Sequence, residues 1–134
     1  MTPLIYVWVG IGGALGSVLR FALGALVGRF AGEAMPWGTL VVNVLGSFVI
    51  GWFAAATTGG GRLAATPEFR TFVMVGLCGG FTTFSSFSLQ TLALFNDGEP
   101  VRASANVLLS VGLCLASVWL GTALANGFHA MGRP

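Results

Sequence analysis

Charged side chains are scarce in this sequence of 134 residues, where they occupy only 7% of the positions. An ordinary soluble domain carries about 25%. Hydrophobic residues instead account for 55% of the chain. The composition is therefore typical of a membrane protein, and we expect contact with lipid but no nucleic acid and no soluble protein partner.

Metal-ligand clusters and catalytic pairs are also lacking. No group of His, Cys, Asp or Glu has the spacing of a metal site, and no nucleophile has a visible base. We therefore predict that the protein is not an enzyme. Cys78 and Cys114 both lie within apolar runs, away from any oxidising compartment, so packing is expected of them rather than a disulfide.

Long apolar runs are what the sequence has instead. Four of them are predicted transmembrane helices, because each has the roughly 20 residues that cross a hydrocarbon core of about 30 Å. A proline stands just before each run, where it suits the first helical turn. The sequence thus predicts one all-α transmembrane domain over residues 1–134, with spans at about 4–28, 38–58, 71–96 and 103–128.

The third run contains residues that continue a helix poorly. Gly79-Gly80 and Thr82-Thr83 lack side-chain packing or are branched at Cβ, so we predict that the third helix is broken there, in the middle of the membrane. Broken backbone at that depth is tolerated only where its freed carbonyls meet protein, ions or a water-lined path. The predicted interruption is therefore a candidate functional site.

Two stripes of side chains follow the predicted break. Phe84 and Phe87 are i, i+3 neighbours on one face of the resumed helix, and an adjacent stripe comprises Thr83, Ser86 and Gln90. A phenyl ring is negative on its face and positive at its edge. Ring edges turned into a narrow path can therefore coordinate an anion.

Polar residues in the other runs each have two interpretations. Arg20, the one charged residue inside a long apolar run, either faces a cavity that attracts anions or extends to the headgroups. Asn43 either donates hydrogen bonds to an anion or cross-links helices. The fourth run carries a polar stripe at helical spacing, which comprises Asn106, Ser110, Cys114 and Ser117. This stripe suits either a polar path or helix packing.

Arginines are divided almost evenly between the two sides of the predicted membrane. If the N-terminus is cytoplasmic, the inside set is Arg62, Arg70 and Arg133, and the outside set is Arg29 and Arg102, with Arg20 leaning outward. So small a bias gives little preference for one orientation. We therefore predict dual topology and an antiparallel homodimer.

The stretch Gly79-Gly80-Phe81-Thr82-Thr83-Phe84-Ser85-Ser86-Phe87-Ser88, with Arg20, Asn43 and four spans in this length, resembles the Fluc (CrcB) family of microbial fluoride channels. The resemblance covers the whole chain. It implies a fluoride-selective channel of the inner (plasma) membrane, which exports cytoplasmic fluoride passively and reduces its toxicity, and an antiparallel dimer with two pores. The alternative is a small proton-coupled cation exporter, which is disfavoured because it needs a carboxylate within the membrane and no apolar run contains one.

The same resemblance implies roles for individual pore residues. Phe84 and Phe87 would meet fluoride with their ring edges, while Asn43 and Ser110 would donate hydrogen bonds to it. Arg20 would lie toward an electropositive vestibule.

A hydroxyl track and a metal site are also implied by the resemblance. Thr83 and Ser86 would belong to the track, and Gln90 stands where the family often has a glutamate. Cys114 likewise departs from the family, since a hydroxyl is usual there. A structural sodium ion would be held at the dimer axis by the backbone carbonyls of Gly79 and Thr82 from each subunit.

Overall fold

The computed structural model describes residues 3–32, 34–58 and 63–130, with side chains described as far as residue 127. All regular secondary structure within these ranges is helical. The long segments are α1 (Leu4–Ala31), α2 (Trp37–Thr57), a third segment (Pro67–Asn96) and α6 (Pro100–Ala130). Each of the four is long and apolar enough to cross a membrane, as expected. Arg62 and Arg133, on which the topology argument partly depends, lie outside the described residues.

The third segment is divided into four helical pieces. They are α3 (Pro67–Thr71), a π-helical stretch (Phe72–Cys78), α4 (Gly79–Phe81) and α5 (Phe84–Asn96). The segment begins at Thr66, whose hydroxyl accepts a hydrogen bond from Phe69 N–H at 3.3 Å, and Pro67 occupies the first helical position. The sequence had not indicated the π-helical turn.

Extended backbone separates α4 from α5. Thr82 has φ −82° and ψ 158°, and Thr83 has φ −152° and ψ 113°. Gly79, by contrast, keeps helical dihedrals, with φ −65° and ψ −37°. Of the four residues expected to interrupt the helix, the threonines are therefore the extended ones. The depth of this interruption in a membrane stays a prediction.

The glycines of the third segment allow close packing against α1. A Cβ on Gly80 would lie 2.5 Å from the carbonyl oxygen of Gly13 and 2.9 Å from its Cα, so the two backbones touch. On α1, Gly12 and Gly16 are buried, and a Cβ on Gly12 would lie 2.6 Å from the carbonyl oxygen of Phe72. Small residues let helices approach where lipid offers no hydrophobic drive. This contact holds the π-helical stretch and α4 against α1.

The second helix packs most extensively against α6. A Cβ on Gly51 would lie 2.9 Å from Cγ2 of Val118, and the Thr122 hydroxyl donates to the Gly51 carbonyl at 3.3 Å. On its other side α2 contacts α1 and the third segment. Polar side chains of α2 are thereby placed beside the interruption at Thr82 and Thr83.

Candidate functional site

The amide of Asn43 bonds to both peptide groups of Thr83. Its Oδ1 accepts a hydrogen bond from Thr83 N–H at 2.8 Å, and its Nδ2 donates to the Thr83 carbonyl at 3.0 Å. Thr83 is only 8% exposed, so α2 supplies partners that the interrupted helix no longer provides. We call this pair of bonds the Asn43–Thr83 clamp. It is a helix cross-link, one of the two interpretations of Asn43, and among the described residues it uses only one of the two amide N–H groups of that side chain.

The hydroxyl of Thr83 caps the helix that follows it. It accepts a hydrogen bond from Ser86 N–H at 3.2 Å and donates to Ser86 Oγ at 3.0 Å, while Ser85 Oγ lies 3.3 Å away. An N-cap of this kind satisfies one of the unpaired donors at a helix start. α5 therefore begins with its first turn fixed.

Two carbonyl oxygens lose their α-helical donors because of these bonds. The helical partner of the Gly79 carbonyl would be Thr83 N–H, which donates to Asn43 instead. The partner of the Thr82 carbonyl would be Ser86 N–H, which donates to the Thr83 hydroxyl. Gly79 is exposed on the single chain, and Thr82 is partly exposed. Both oxygens thus have acceptor capacity at the interruption.

A cavity of about 400 Å³, here called the central cavity, lies between α2, the third segment and α6. Seven of the predicted site residues line it: Asn43, Gly79, Thr82, Thr83, Phe84, Phe87 and Ser110. No Asp, Glu, Arg or His of the described part of the chain lines it. The structure therefore brings amide, hydroxyl and aromatic groups to one uncharged space.

The two aromatic rings of the central cavity contact each other but differ in exposure. The centroids of Phe84 and Phe87 are 5.3 Å apart, and the ring planes are inclined by 50°. Phe87 is 8% exposed, whereas Phe84 is 76% exposed. Phe87 is therefore an interior residue of the chain, and Phe84 projects from its surface.

The polar stripe of α6 is divided between packing and the cavity. Asn106 is 1% exposed, and its Nδ2 donates to Thr91 Oγ1 at 2.8 Å, which links α6 to α5. Ser110 donates its hydroxyl to Asn106 Oδ1 at 3.4 Å, a long and weak bond. Ser110 and Cys114 both line the central cavity. Helix packing thus accounts for Asn106, while Ser110 and Cys114, one and two turns further along α6, line the central cavity.

The remaining predicted residues line a second cavity, of about 220 Å³, which we call the Arg20 cavity. Its wall includes Arg20, Thr83, Ser86 and Gln90, and Arg20 is partly buried there. Arg20 thus lines a cavity, and both interpretations of its role stay predictions. Thr83 lines both cavities, so it separates the arginine from the aromatic rings.

Two hydroxyl residues of the Arg20 cavity were not singled out in the sequence. Ser17 lies three residues before Arg20 on α1, and Thr39 lies in the first turn of α2. The i, i+3 spacing of Ser17 from Arg20 is a signal that can identify it. Ser17 also donates to the Gly80 carbonyl at 3.4 Å.

Gln90 stands where the Arg20 cavity meets a third cavity, of about 260 Å³. That cavity reaches Gly32 and Pro36, in the connector between α1 and α2. The Oε1 atom of Gln90 is buried and has no hydrogen-bond partner among the described residues. Open space therefore continues from Thr83 past Gln90 to this end of the helices, where glycines make up much of the lining.

Comparison with known proteins gives the family. A family model described as "CrcB-like protein, Camphor Resistance (CrcB)" matches residues 7–122. The chain belongs to the CrcB family. The family resemblance expected from the sequence is thus confirmed, and with four apolar helices it identifies a multi-pass membrane protein.

Several similar proteins of known name are CrcB relatives called "Fluoride-specific ion channel FluC". The one from Opitutus terrae is 56% identical over 127 residues, which cover 95% of this chain and 96% of that protein. The one from Methylocella silvestris is 51% identical over 126 residues, with coverage of 94% and 96%. The one from Rhodospirillum rubrum is 54% identical over 118 residues, with coverage of 88% and 92%. The relatives thus match nearly the full length of the chain.

Proposed function

We propose that this CrcB-family chain forms a fluoride-selective ion channel, which lets cytoplasmic fluoride leave through the inner membrane and so reduces its toxicity. The observation that carries this proposal is the central cavity, where Asn43, Phe84, Phe87 and Ser110 meet and no charged side chain of the described residues takes part. Relatives named as fluoride-specific channels support the choice of ion. Export needs no nucleotide and no proton coupling, because the negative inside potential expels an anion.

Fluoride is small and strongly hydrated, so the path must replace the water that the ion loses. The second amide N–H of Asn43 is one available donor, because the clamp uses only one. Ser110 becomes a second donor if its hydroxyl rotates away from Asn106 Oδ1. This rotation costs little free energy, because the bond that it breaks is 3.4 Å long and weak. The positive edges of Phe84 and Phe87 add contacts on the apolar side.

Arg20 supplies the long-range attraction in this proposal. A cation in a low-dielectric recess raises the local concentration of anions. The ion would pass from the Arg20 cavity along Ser86 and past Thr83, which lines both cavities, into the central cavity.

A second copy of the chain, in antiparallel orientation, would complete the path. The 76% exposure of Phe84 supports this proposal, because a pore ring must be enclosed to contact a dehydrated ion. Two copies give two such paths. A topology reporter fused at Pro134 is expected to show both orientations, and a single orientation would refute dual topology.

A structural sodium ion fits the groups at the interruption. The carbonyl oxygens of Gly79 and Thr82 lack their α-helical donors, and hard cations prefer such oxygen ligands. Two copies would present four of these oxygens, and the bound ion would offset their unpaired dipoles. We expect the purified protein to unfold at a lower temperature when sodium is replaced by N-methylglucamine. Equal unfolding temperatures would contradict the sodium site.

Fluoride efflux from proteoliposomes tests the proposed function directly. A fluoride electrode should record rapid efflux from liposomes that contain the wild type, and chloride flux should be far slower. Phe84→Ile and Asn43→Asp are each expected to abolish or sharply reduce fluoride efflux. Wild-type rates in both variants would refute the assigned roles, and a requirement for a proton gradient would favour an exporter.

A further inference from the structure

Three consecutive hydrogen bonds join Ser110 of α6 to the backbone of α5. Ser110 donates its hydroxyl to Asn106 Oδ1 at 3.4 Å, and Asn106 Nδ2 donates to Thr91 Oγ1 at 2.8 Å. Thr91 then donates its own hydroxyl to the Phe87 carbonyl at 2.8 Å. Asn106 is 1% exposed and Ser110 is 7% exposed, so water has little access to either. We call these three bonds the Ser110 network.

Each bond of the Ser110 network fixes the direction of the bond before it. The Thr91 hydroxyl gives its one proton to the Phe87 carbonyl, so it can only accept from Asn106. The amide of Asn106 therefore turns Nδ2 to Thr91 and Oδ1 to Ser110. Ser110 in turn gives its one proton to that oxygen. With its proton on Asn106, Ser110 offers the central cavity, which it lines, an acceptor but no donor.

Asn106 and an anion in the central cavity compete for the one proton of Ser110. An anion accepts hydrogen bonds but donates none, so Ser110 can hold it only after the hydroxyl has rotated away from Asn106. The buried Oδ1 then loses its partner, which costs free energy. Asn106 cannot follow the proton, because Thr91 holds its amide from α5. The competing oxygen therefore stays in place while the ion is bound.

We propose that Asn106 is a positioning residue, which turns the Ser110 hydroxyl back when the anion leaves and thereby weakens anion binding at Ser110. The inference rests on the proposed function, in which Ser110 is a donor on the path. Conduction needs binding that is favourable enough for entry but weak enough for release, and a fixed competitor beside the donor serves release. Asn106 is not among the residues that line the central cavity, so it acts through Ser110. The O–H bond stays intact, and only its direction changes.

Side-chain amide signals of the purified protein test the competition directly. Labelling with ¹⁵N-asparagine gives few signals, because the sequence has four asparagines, at Asn43, Asn96, Asn106 and Asn126. Asn43→Asp and Asn106→Leu each assign one signal by its loss. Sodium fluoride is added in exchange for sodium nitrate at constant ionic strength. The Asn106 signal should shift with fluoride in the wild type, because Oδ1 loses the Ser110 proton, and it should lose that response in Ser110→Ala. An Asn106 signal that ignores fluoride in the wild type would overturn the proposal.

A double-mutant cycle separates positioning from a merely structural role. Asn106→Leu removes the competing oxygen at similar side-chain size, so the fluoride concentration that half-saturates the Asn43 signal should fall about two- to fivefold. In the Ser110→Ala background the same substitution should leave that concentration unchanged, because no proton remains to compete for. Asn126→Leu, at an exposed position of α6, is the matched control and should behave as wild type.

Two results of the cycle would refute the positioning role. One is a half-saturating concentration in Asn106→Leu that equals or exceeds the wild-type value. The other is the same change in both backgrounds, which would mean that Asn106 acts without Ser110. Should Asn106→Leu fail to fold, the response of the Asn106 signal in the wild type still decides.

Fluoride efflux distinguishes this inference from the proposed function. In proteoliposomes, Asn106→Leu should lower the maximal rate of efflux, because tighter binding slows release, and it should have no further effect in the Ser110→Ala background. A protein without fluoride efflux whose Asn106 signal still responds to fluoride through Ser110 contradicts only the proposed function. A conducting protein whose Asn106 signal does not respond contradicts only the positioning role.

Discussion

Replacing Asn43 with alanine removes both bonds of the Asn43–Thr83 clamp at once. These bonds measure 2.8 and 3.0 Å, and Thr83 is 8% exposed, so its N–H and carbonyl would be left with little access to other partners. Each buried group left unsatisfied costs about 1–3 kcal/mol. The free energy of unfolding should therefore fall by about 2–6 kcal/mol.

Unfolding of the purified protein in detergent, followed by tryptophan fluorescence, measures this change. Ser47→Ala is the control, because Ser47 lies one turn further along α2 and lines the same cavity. Its hydroxyl forms no hydrogen bond with the described residues, so the control should change stability by less than about 0.5 kcal/mol. A loss in Asn43→Ala no larger than that of the control would refute the clamp.

Three further substitutions test other parts of the structure. Gly16→Ala should destabilise the protein by about 1–3 kcal/mol, because its Cβ would overlap the Leu77 carbonyl oxygen. Gly10→Ala is its control, because a Cβ on Gly10 would have no other atom within 4 Å. Equal losses of stability in the two variants would contradict this packing. Gln90→Leu should leave stability unchanged or raise it, because the buried Oε1 has no hydrogen-bond partner among the described residues. A loss of stability above about 1 kcal/mol would show that this oxygen is hydrogen-bonded. Arg20→Gln should slow fluoride efflux and weaken its dependence on ionic strength, so a wild-type salt dependence would exclude the attraction assigned to it.

Local patterns in the sequence identified much of this architecture. Four helices were predictable because each apolar run is long enough to span a bilayer, and the aromatic pair followed from the i, i+3 spacing of Phe84 and Phe87. The residues of the interruption were only partly predictable. Thr83 is extended because its peptide groups bond to Asn43, a residue 40 positions away, and no local rule contains that contact. Gly80 remains helical and packs on Gly13, a contact that its own sequence neighbourhood does not contain.

Contacts between helices also explain two features of the site that the sequence did not predict, namely the different positions of the polar residues of α6 and the π-helical turn. Asn106 and Ser110 share one stripe, yet the first is occupied by Thr91 and the second reaches the cavity. The position of α5 decides this difference, because Thr91 of α5 contacts Asn106, whereas Ser110 lines the central cavity. The π-helical turn is similarly tertiary, since the missing Cβ of Gly12 lets the Phe72 carbonyl approach α1.

The Asn43–Thr83 clamp also bears on how the protein matures after insertion. A newly inserted third segment that has not yet met α2 has no amide to pair with Thr83, and unpaired peptide groups in hydrocarbon cost several kcal/mol each. Such a segment would enter the bilayer as a straight, uninterrupted rod. Pairing of Thr83 with Asn43 on docking would then favour extended backbone at Thr82 and Thr83, so that α2 would help to shape the third segment.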